Sequence, residues 1–174
     1  MADESWWTRV APMRFGALLA LVTLLLGFGL GALFGLAEDA IKESFRSTAV
    51  ETLSATTTDL DKEVGALTGR AWTYMKRAHL HANGLGTSAL AMILLLGCLP
   101  AGERLKSTAS WLLGLGGLGY SSFWLLAAQR TPVLGSTSLA KESLRWLALS
   151  TSACCLIGLL LTLWMLIAAF GGSD

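Results

Sequence analysis

Four long stretches of the sequence contain no charged residue: 15–37, 78–99, 108–128 and 146–170. A helix rises about 1.5 Å per residue, so even the shortest stretch could cross a hydrocarbon layer of roughly 30 Å. Lipid offers no hydrogen-bond partners to the backbone, and a single span can satisfy its own backbone only as a helix. The pattern therefore predicts an all-α membrane protein with four transmembrane helices in a bundle.

The connection between the first two stretches, residues 38–77, has apolar residues at close to helical spacing. Its middle reads TTTDLDKE, where Thr58 or Asp59 can cap a new helix with an acidic first turn. We predict a protruding helical hairpin, with the first helix running to about residue 56 and the second starting near residue 59. Gly65 and Gly69 would let the two arms approach closely. The alternative is a disordered polar loop.

Composition agrees with a membrane-embedded chain of one domain, residues 1–174, with an interfacial leader at 1–14. Only 14% of the residues are charged, against roughly 25% in an average soluble domain. This low charge content indicates that the chain is surrounded by a lipid bilayer. The net charge of +1 gives no electrostatic attraction for nucleic acid. Three cysteines lie in apolar runs without a C-x-x-C, which favours small packing residues over a vicinal thiol pair: Cys98, Cys154 and Cys155.

Lysine and arginine are distributed unequally between the two ends of the predicted bundle. Nine lie on the side of the hairpin and of the loop between the third and fourth helices, and four lie on the N-terminal side. By the positive-inside rule, the hairpin and that loop are predicted to be cytoplasmic and both termini outside. The four residues on the N-terminal side are Arg9, Arg14, Arg104 and Lys106.

Glycines recur at spacings that place them on one helix face. Gly27, Gly31 and Gly35 are four residues apart, and Gly114 and Gly117 belong to the run GLGGLG. That run also fits the G-x-G-x-x-G pattern of dinucleotide sites, but such a site needs a preceding strand, and this run lies inside a predicted span. Small residues let helix backbones meet in lipid, so we predict helix packing at all five glycines.

The chain has two histidines, His79 and His81, at the start of the second stretch. Residues two apart on a helix point about 200° apart, so the two rings cannot bind one ion from a regular helix. Imidazole is an axial ligand of haem iron and a hydrogen-bond partner for quinones, and it can also anchor a helix at the interface, sense pH or contact a partner. A single haem would need a second ligand, for which Met92 or Met165 would have to be brought close.

The ten residues RAHLHANGLG, which contain both histidines, resemble the H-x-H helix openings of haem–copper oxidase catalytic subunits and of related small membrane families. The resemblance implies that His79 or His81 is an axial ligand of a b-type haem. The oxidase pattern needs several histidines on different helices, and this sequence has none elsewhere. A complete oxygen-reducing centre within this chain is therefore excluded.

The middles of the four stretches lack the ionisable residues typical of proton relays and ion-coupled transport. A serine nucleophile would also lack a base and an orienting carboxylate. We therefore predict a non-catalytic subunit that packs into and stabilises a larger membrane complex, with respiratory or redox complexes among the candidates. Its partners would be other membrane subunits or a second copy. The alternative is an electron-transfer protein that contacts haem b or a quinone through His79 or His81.

Overall fold

The structure, a computed structural model, describes residues 6–55 and 57–171 and is helical over most of them, with no strand in these ranges. This confirms the predicted all-α class. The helices are α1 (Trp6–Val10), α2 (Arg14–Leu53), α3 (Leu60–Cys98), α4 (Glu103–Val133), α5 (Thr137–Glu142) and α6 (Arg145–Gly171). A 3₁₀ turn at Ala11–Met13 joins α1 to α2.

Four of these helices, α2, α3, α4 and α6, are long and apolar enough to cross a membrane. Each covers one of the four charge-free stretches, as the pattern predicted, except that α3 ends one residue short, at Cys98. Three of them also continue well beyond their stretch, because helical periodicity does not stop where charged residues begin. Helix α2 runs on from residue 37 to Leu53, α3 starts at Leu60 ahead of residue 78, and α4 runs past residue 128 to Val133.

Helix α2 has a kink at Ala37, the last residue of the first charge-free stretch. Its φ of −144° and ψ of 24° lie far from the helical values of about −63° and −42°. The kink divides α2 into an apolar part and a polar part, and the polar part opens with an ion pair between Glu38 and Lys42. The helix thus changes direction at the point where its side chains change from apolar to charged and polar.

The polar part of α2 and the first turns of α3 pack against each other through buried apolar side chains. Ala49 and Leu53 of α2 meet Val64 and Leu67 of α3 in one cluster. The expectation that glycines bring these two arms together is wrong. A Cβ added at Gly65 or Gly69 would meet no atom within 4 Å, because Val64 and Leu67 occupy the face that contacts α2.

Helix α4 is the central element and packs on α2, α3 and α6. Its buried residues are mostly small, which lets neighbouring backbones come close. Helix α6, by contrast, buries only three residues among those described, and it lies at the edge of the bundle. The small buried residues of α4 are Ala109, Ser110, Gly114, Gly116, Gly117, Ser121, Ala127 and Ala128.

The end of α4 and the residues on either side of α5 pack beside the polar part of α2. Phe45 of α2 belongs to one core cluster with Tyr74, Phe123 and Leu144. Gly135, which follows α4 with a φ of +57°, would place an added Cβ 3.2 Å from Thr52 Cγ2. In the part of the chain that the structure describes, the predicted hairpin is therefore flanked by α4 and by the residues around α5, and it does not stand alone. The prediction that the third helix ends at residue 128, just before Arg130, did not anticipate the contact between the end of α4 and the polar part of α2.

Candidate functional site

The His79 ring joins α3 to α2. Its Nδ1 lies 2.8 Å from the carbonyl oxygen of Gly27. A carbonyl oxygen only accepts, so Nδ1 carries the hydrogen and donates, and in the neutral ring Nε2 is left as an acceptor. One turn further along α3, Asn83 donates from Nδ2 to the carbonyl oxygen of His79 at 3.0 Å. The imidazole thus serves as a hydrogen-bonded link between two long helices.

Two of the predicted packing glycines make this link sterically possible. A Cβ at Gly31 would lie 2.8 Å from His79 Cε1, and a Cβ at Gly27 would lie 2.7 Å from Asn83 Oδ1. Asn83 Oδ1 is buried and has no hydrogen-bond partner among the described residues. The Cα hydrogens of Gly27 face it, and such hydrogens are weak donors at helix contacts. At Gly35, the third position of this series, an added Cβ would meet no atom within 4 Å.

The His81 ring points to α4. Its centroid lies 5.0 Å from that of Tyr120, edge to face, and 6.1 Å from that of Trp124, nearly parallel. The guanidinium of Arg77, one turn earlier on α3, lies 4.8 Å from the centre of the Trp124 ring. The two histidines therefore take part in different helix contacts, in agreement with the divergence expected for positions two apart.

A haem b held by this chain's own described residues does not fit the geometry. The His79 ring packs against Gly31 and against Phe34, whose centroid is 5.5 Å away. The clefts beside Arg14, beside Pro100 and beside Gly29 are lined by residues other than the two histidines. Met92 and Met165 belong to a different core cluster, around Met13, and neither is placed beside His79 or His81. Among the described residues, no group of three His, Cys, Asp or Glu could hold a metal ion.

The GLGGLG run lies inside α4 and packs it against three other helices. A Cβ at Gly114 would lie 2.7 Å from the carbonyl oxygen of Gly16 on α2, and one at Gly116 would lie 2.7 Å from the backbone nitrogen of Cys155 on α6. Gly117 faces Leu85 of α3, at 3.5 Å. A helix rather than a strand precedes the run, so the dinucleotide fingerprint lacks its structural context.

The sequence analysis missed glycines that make equally close contacts. A Cβ at Gly86 would meet Leu24 at 2.9 Å, and one at Gly158 would meet Leu113 at 2.9 Å. Neither glycine has a second glycine four residues away on its own helix, so spacing gives no signal. Gly16 was missed as well, whereas Gly116 and Gly119 belong to the GLGGLG run, whose small residues were expected to bring helices together.

The chain has no significant match to a protein-family model, to a curated protein or to a solved structure. The resemblance of RAHLHANGLG to haem–copper oxidase helix openings thus stays a prediction.

Proposed function

We propose that this chain is a multi-pass membrane protein whose four long helices cross the bilayer, and that it works as a non-catalytic subunit of a larger membrane complex. In this role it stabilises the complex by packing against other membrane subunits. Its hairpin and the loop before α6 would face the cytoplasm, since most lysines and arginines lie at that end. Both termini would then lie outside.

The observation that carries this proposal is an apolar groove on the outer face of α2. The groove has a volume of about 420 Å³, and its lining exposes almost no polar surface. A Cβ at Gly29 would meet no atom within 4 Å, so this glycine forms an open floor between leucine ridges. Ridges of one helix pack into grooves of another, and small residues deepen such grooves in lipid. The groove is lined by Val22, Leu25, Leu26, Gly29, Leu30 and Leu33.

The polar side chains within the apolar stretches support a structural role. Thr23 donates to the carbonyl oxygen of Leu19 at 2.7 Å, and Thr162 donates to that of Gly158 at 2.8 Å. Ser121 makes the same bond one turn back along α4, to Gly117. His79 is bonded to Gly27. Each of these hydroxyls is thus bonded within its own helix and the imidazole links two helices, which agrees with a structural role.

The test is purification of the full chain in a mild detergent, with mass spectrometry of every protein that travels with it. We expect defined partner subunits to co-purify with the native chain and to be lost when Gly29→Phe fills the groove. The matched control is Leu160→Phe on α6, where the side chain is exposed, and it should keep the partners. A chain that purifies alone and monodisperse would overturn the proposal, as would equal retention by both variants. Recovery of this chain alone as an oligomer that Gly29→Phe dissociates would show self-association through the same groove.

Electron transfer is a second candidate, favoured by one detail of the His79 contact. Ligating histidines commonly donate Nδ1–H to a backbone carbonyl, as His79 does to Gly27, and then bind with Nε2. A haem or quinone would have to be brought by a partner subunit, because this chain's described residues do not enclose one. A visible spectrum of the purified complex with a Soret band that His79→Ala removes would establish this role. A colourless complex would exclude a haem.

A further inference from the structure

A cleft of about 620 Å³ lies where the beginning of α2 meets the beginning of α4. It lies at the opposite end of the bundle from the hairpin, and none of its lining residues takes part in the histidine contacts. Its lining mixes charged, hydroxyl and aromatic side chains. The residues that give it this character are Thr8, Arg14, Phe15, Glu103, Ser107 and Trp111.

The two charged residues of the cleft have opposite signs and are not paired with each other. The guanidinium of Arg14 lies 5.0 Å from the centre of the Phe15 ring. Within residues 6–55 and 57–171, the ion pairs join other residues, and neither Arg14 nor Glu103 takes part in one. Both side chains are exposed. The cleft therefore offers a cation and a carboxylate together, with no net charge.

The aromatic residues place this cleft at the edge of the proposed membrane layer. Phe15 and Trp111 stack with ring centroids 5.6 Å apart, and each is partly exposed. Phe15 opens the first charge-free stretch, and Trp111 lies in the first turn of the third. Tryptophan and other amphipathic rings concentrate at the level of lipid head groups. A ligand in the cleft would thus have its polar part beside Arg14 and Glu103 and its apolar part beside the two rings.

We infer that the cleft binds the head group of a zwitterionic phospholipid that carries a primary ammonium, the ethanolamine type. The lipid phosphate meets the Arg14 guanidinium, and the ammonium donates hydrogen bonds to the Glu103 carboxylate, both of which are charge-assisted. The acyl chains run past Phe15 and Trp111 into the bilayer. A carboxylate beside the arginine disfavours an anionic lipid or free phosphate, and a choline group has no N–H to give to Glu103. This inference rests on the membrane insertion proposed above and is independent of any partner subunit.

The test is native mass spectrometry of the full chain released from detergent micelles, with phosphatidylethanolamine, phosphatidylcholine, phosphatidylglycerol or inorganic phosphate added. We expect phosphatidylethanolamine to bind about tenfold more tightly than phosphatidylcholine, as loss of a charged hydrogen bond implies. Arg14→Gln should weaken both lipids about tenfold. Glu103→Gln should remove the preference for phosphatidylethanolamine and leave phosphatidylcholine binding as it was.

Matched controls remove the same charges outside the cleft: Arg104→Gln on α4 and Glu43→Gln on α2, both at exposed positions. These variants should bind lipid like the native chain, and circular dichroism should show unchanged helix content in all four. The inference is overturned if Arg14→Gln binds as the native chain does, if phosphatidylglycerol binds best, or if inorganic phosphate displaces the lipid. Lipid selectivity is measured on the isolated chain, so its failure is distinguishable from a failure to co-purify with partners.

Discussion

The Nδ1 atom of His79 lies 2.8 Å from the carbonyl oxygen of Gly27, across the contact between α2 and α3. The two residues are 52 positions apart in the sequence, so the bond fixes how the two helices align. Gly27 and Gly31 leave the space that the ring and Asn83 occupy. His79 thus provides a hydrogen bond between two helices whose contact is otherwise apolar.

Replacing each histidine by phenylalanine should separate their roles. His79→Phe keeps an aromatic ring but loses the bond to Gly27, and we expect the free energy of unfolding to fall by about 0.6–2 kcal/mol, the range for hydrogen bonds between membrane helices. His81→Phe keeps the ring contacts with Tyr120 and Trp124, and it should change stability by less than about 0.5 kcal/mol. Equilibrium unfolding in mixed detergent and dodecyl sulfate micelles measures both. Equal losses in the two variants would contradict the assignment.

Gly16 and Gly29 lie on the same helix and should respond in opposite ways to an added methyl group. A Cβ at Gly16 would overlap the backbone carbonyl of Ser110 on α4, which has no flexible end to move aside. Gly16→Ala should therefore destabilise the bundle by about 1–3 kcal/mol through overpacking. Gly29→Ala meets no atom within 4 Å and should be neutral or stabilising by up to about 1 kcal/mol, since alanine favours helix. Thermal unfolding of the two variants in one detergent compares them, and a reversed order would refute this contact.

Cysteines at Thr52 and Gly135 should be joined by a short bifunctional thiol reagent, in a chain whose native cysteines are replaced by alanine. An added Cβ at Gly135 lies 3.2 Å from Thr52 Cγ2, well within the reach of such a reagent. Cysteine at this positive-φ position costs about 1–2 kcal/mol of strain. The control pairs Gly135→Cys with Gly65→Cys, whose position has no neighbour within 4 Å. Equal cross-linking of both pairs would show that α4 does not lie beside the polar part of α2.

The proposed orientation can be tested with two exposed glycines at opposite ends of the bundle. Gly65→Cys lies in the polar part of α3, and Gly102→Cys lies just before α4. In intact cells a membrane-impermeant maleimide should label Gly102→Cys at once and Gly65→Cys only after permeabilisation. Both positions have open space for a cysteine. The opposite labelling pattern would mean that the hairpin end lies outside.

The helices themselves were predictable from the sequence, because charge-free length and apolar spacing are local properties. Asp59, expected with Thr58 as a possible cap of the second helix, directly precedes α3 at Leu60, but its side chain makes no capping hydrogen bond. Predicting from charge alone failed at Arg130, where α4 continues because Thr131 and Pro132 are buried against other parts of the chain. A charged residue such as Arg130 can lie on the exposed side of a helix while the residues next to it are buried on the other side.

The helix partners were not predictable in the same way. Spacing identified Gly27 and Gly31 as members of one face, but it could not show that His79 fills the space beside them. The same reasoning gave Gly35 equal weight, although nothing lies near it. Whether a glycine forms a contact depends on which residue of the neighbouring helix lies opposite it. The residue opposite is set by the three-dimensional packing of the helices and not by spacing within one helix.

The division between the outer helices and the central α4 has a consequence for synthesis of the protein. Helices α2 and α6 are the most apolar of the four and bury the smallest share of their residues, whereas α3 and α4 are less apolar and more buried. In the membrane arrangement proposed above, α2 is apolar enough to enter lipid by itself as translation proceeds, whereas α4 would enter favourably only beside α2 and α3. Of the four helices, α2 and α6 would then insert independently and α3 and α4 would insert with the help of neighbouring helices, so a pause in translation before α4 would aid biogenesis.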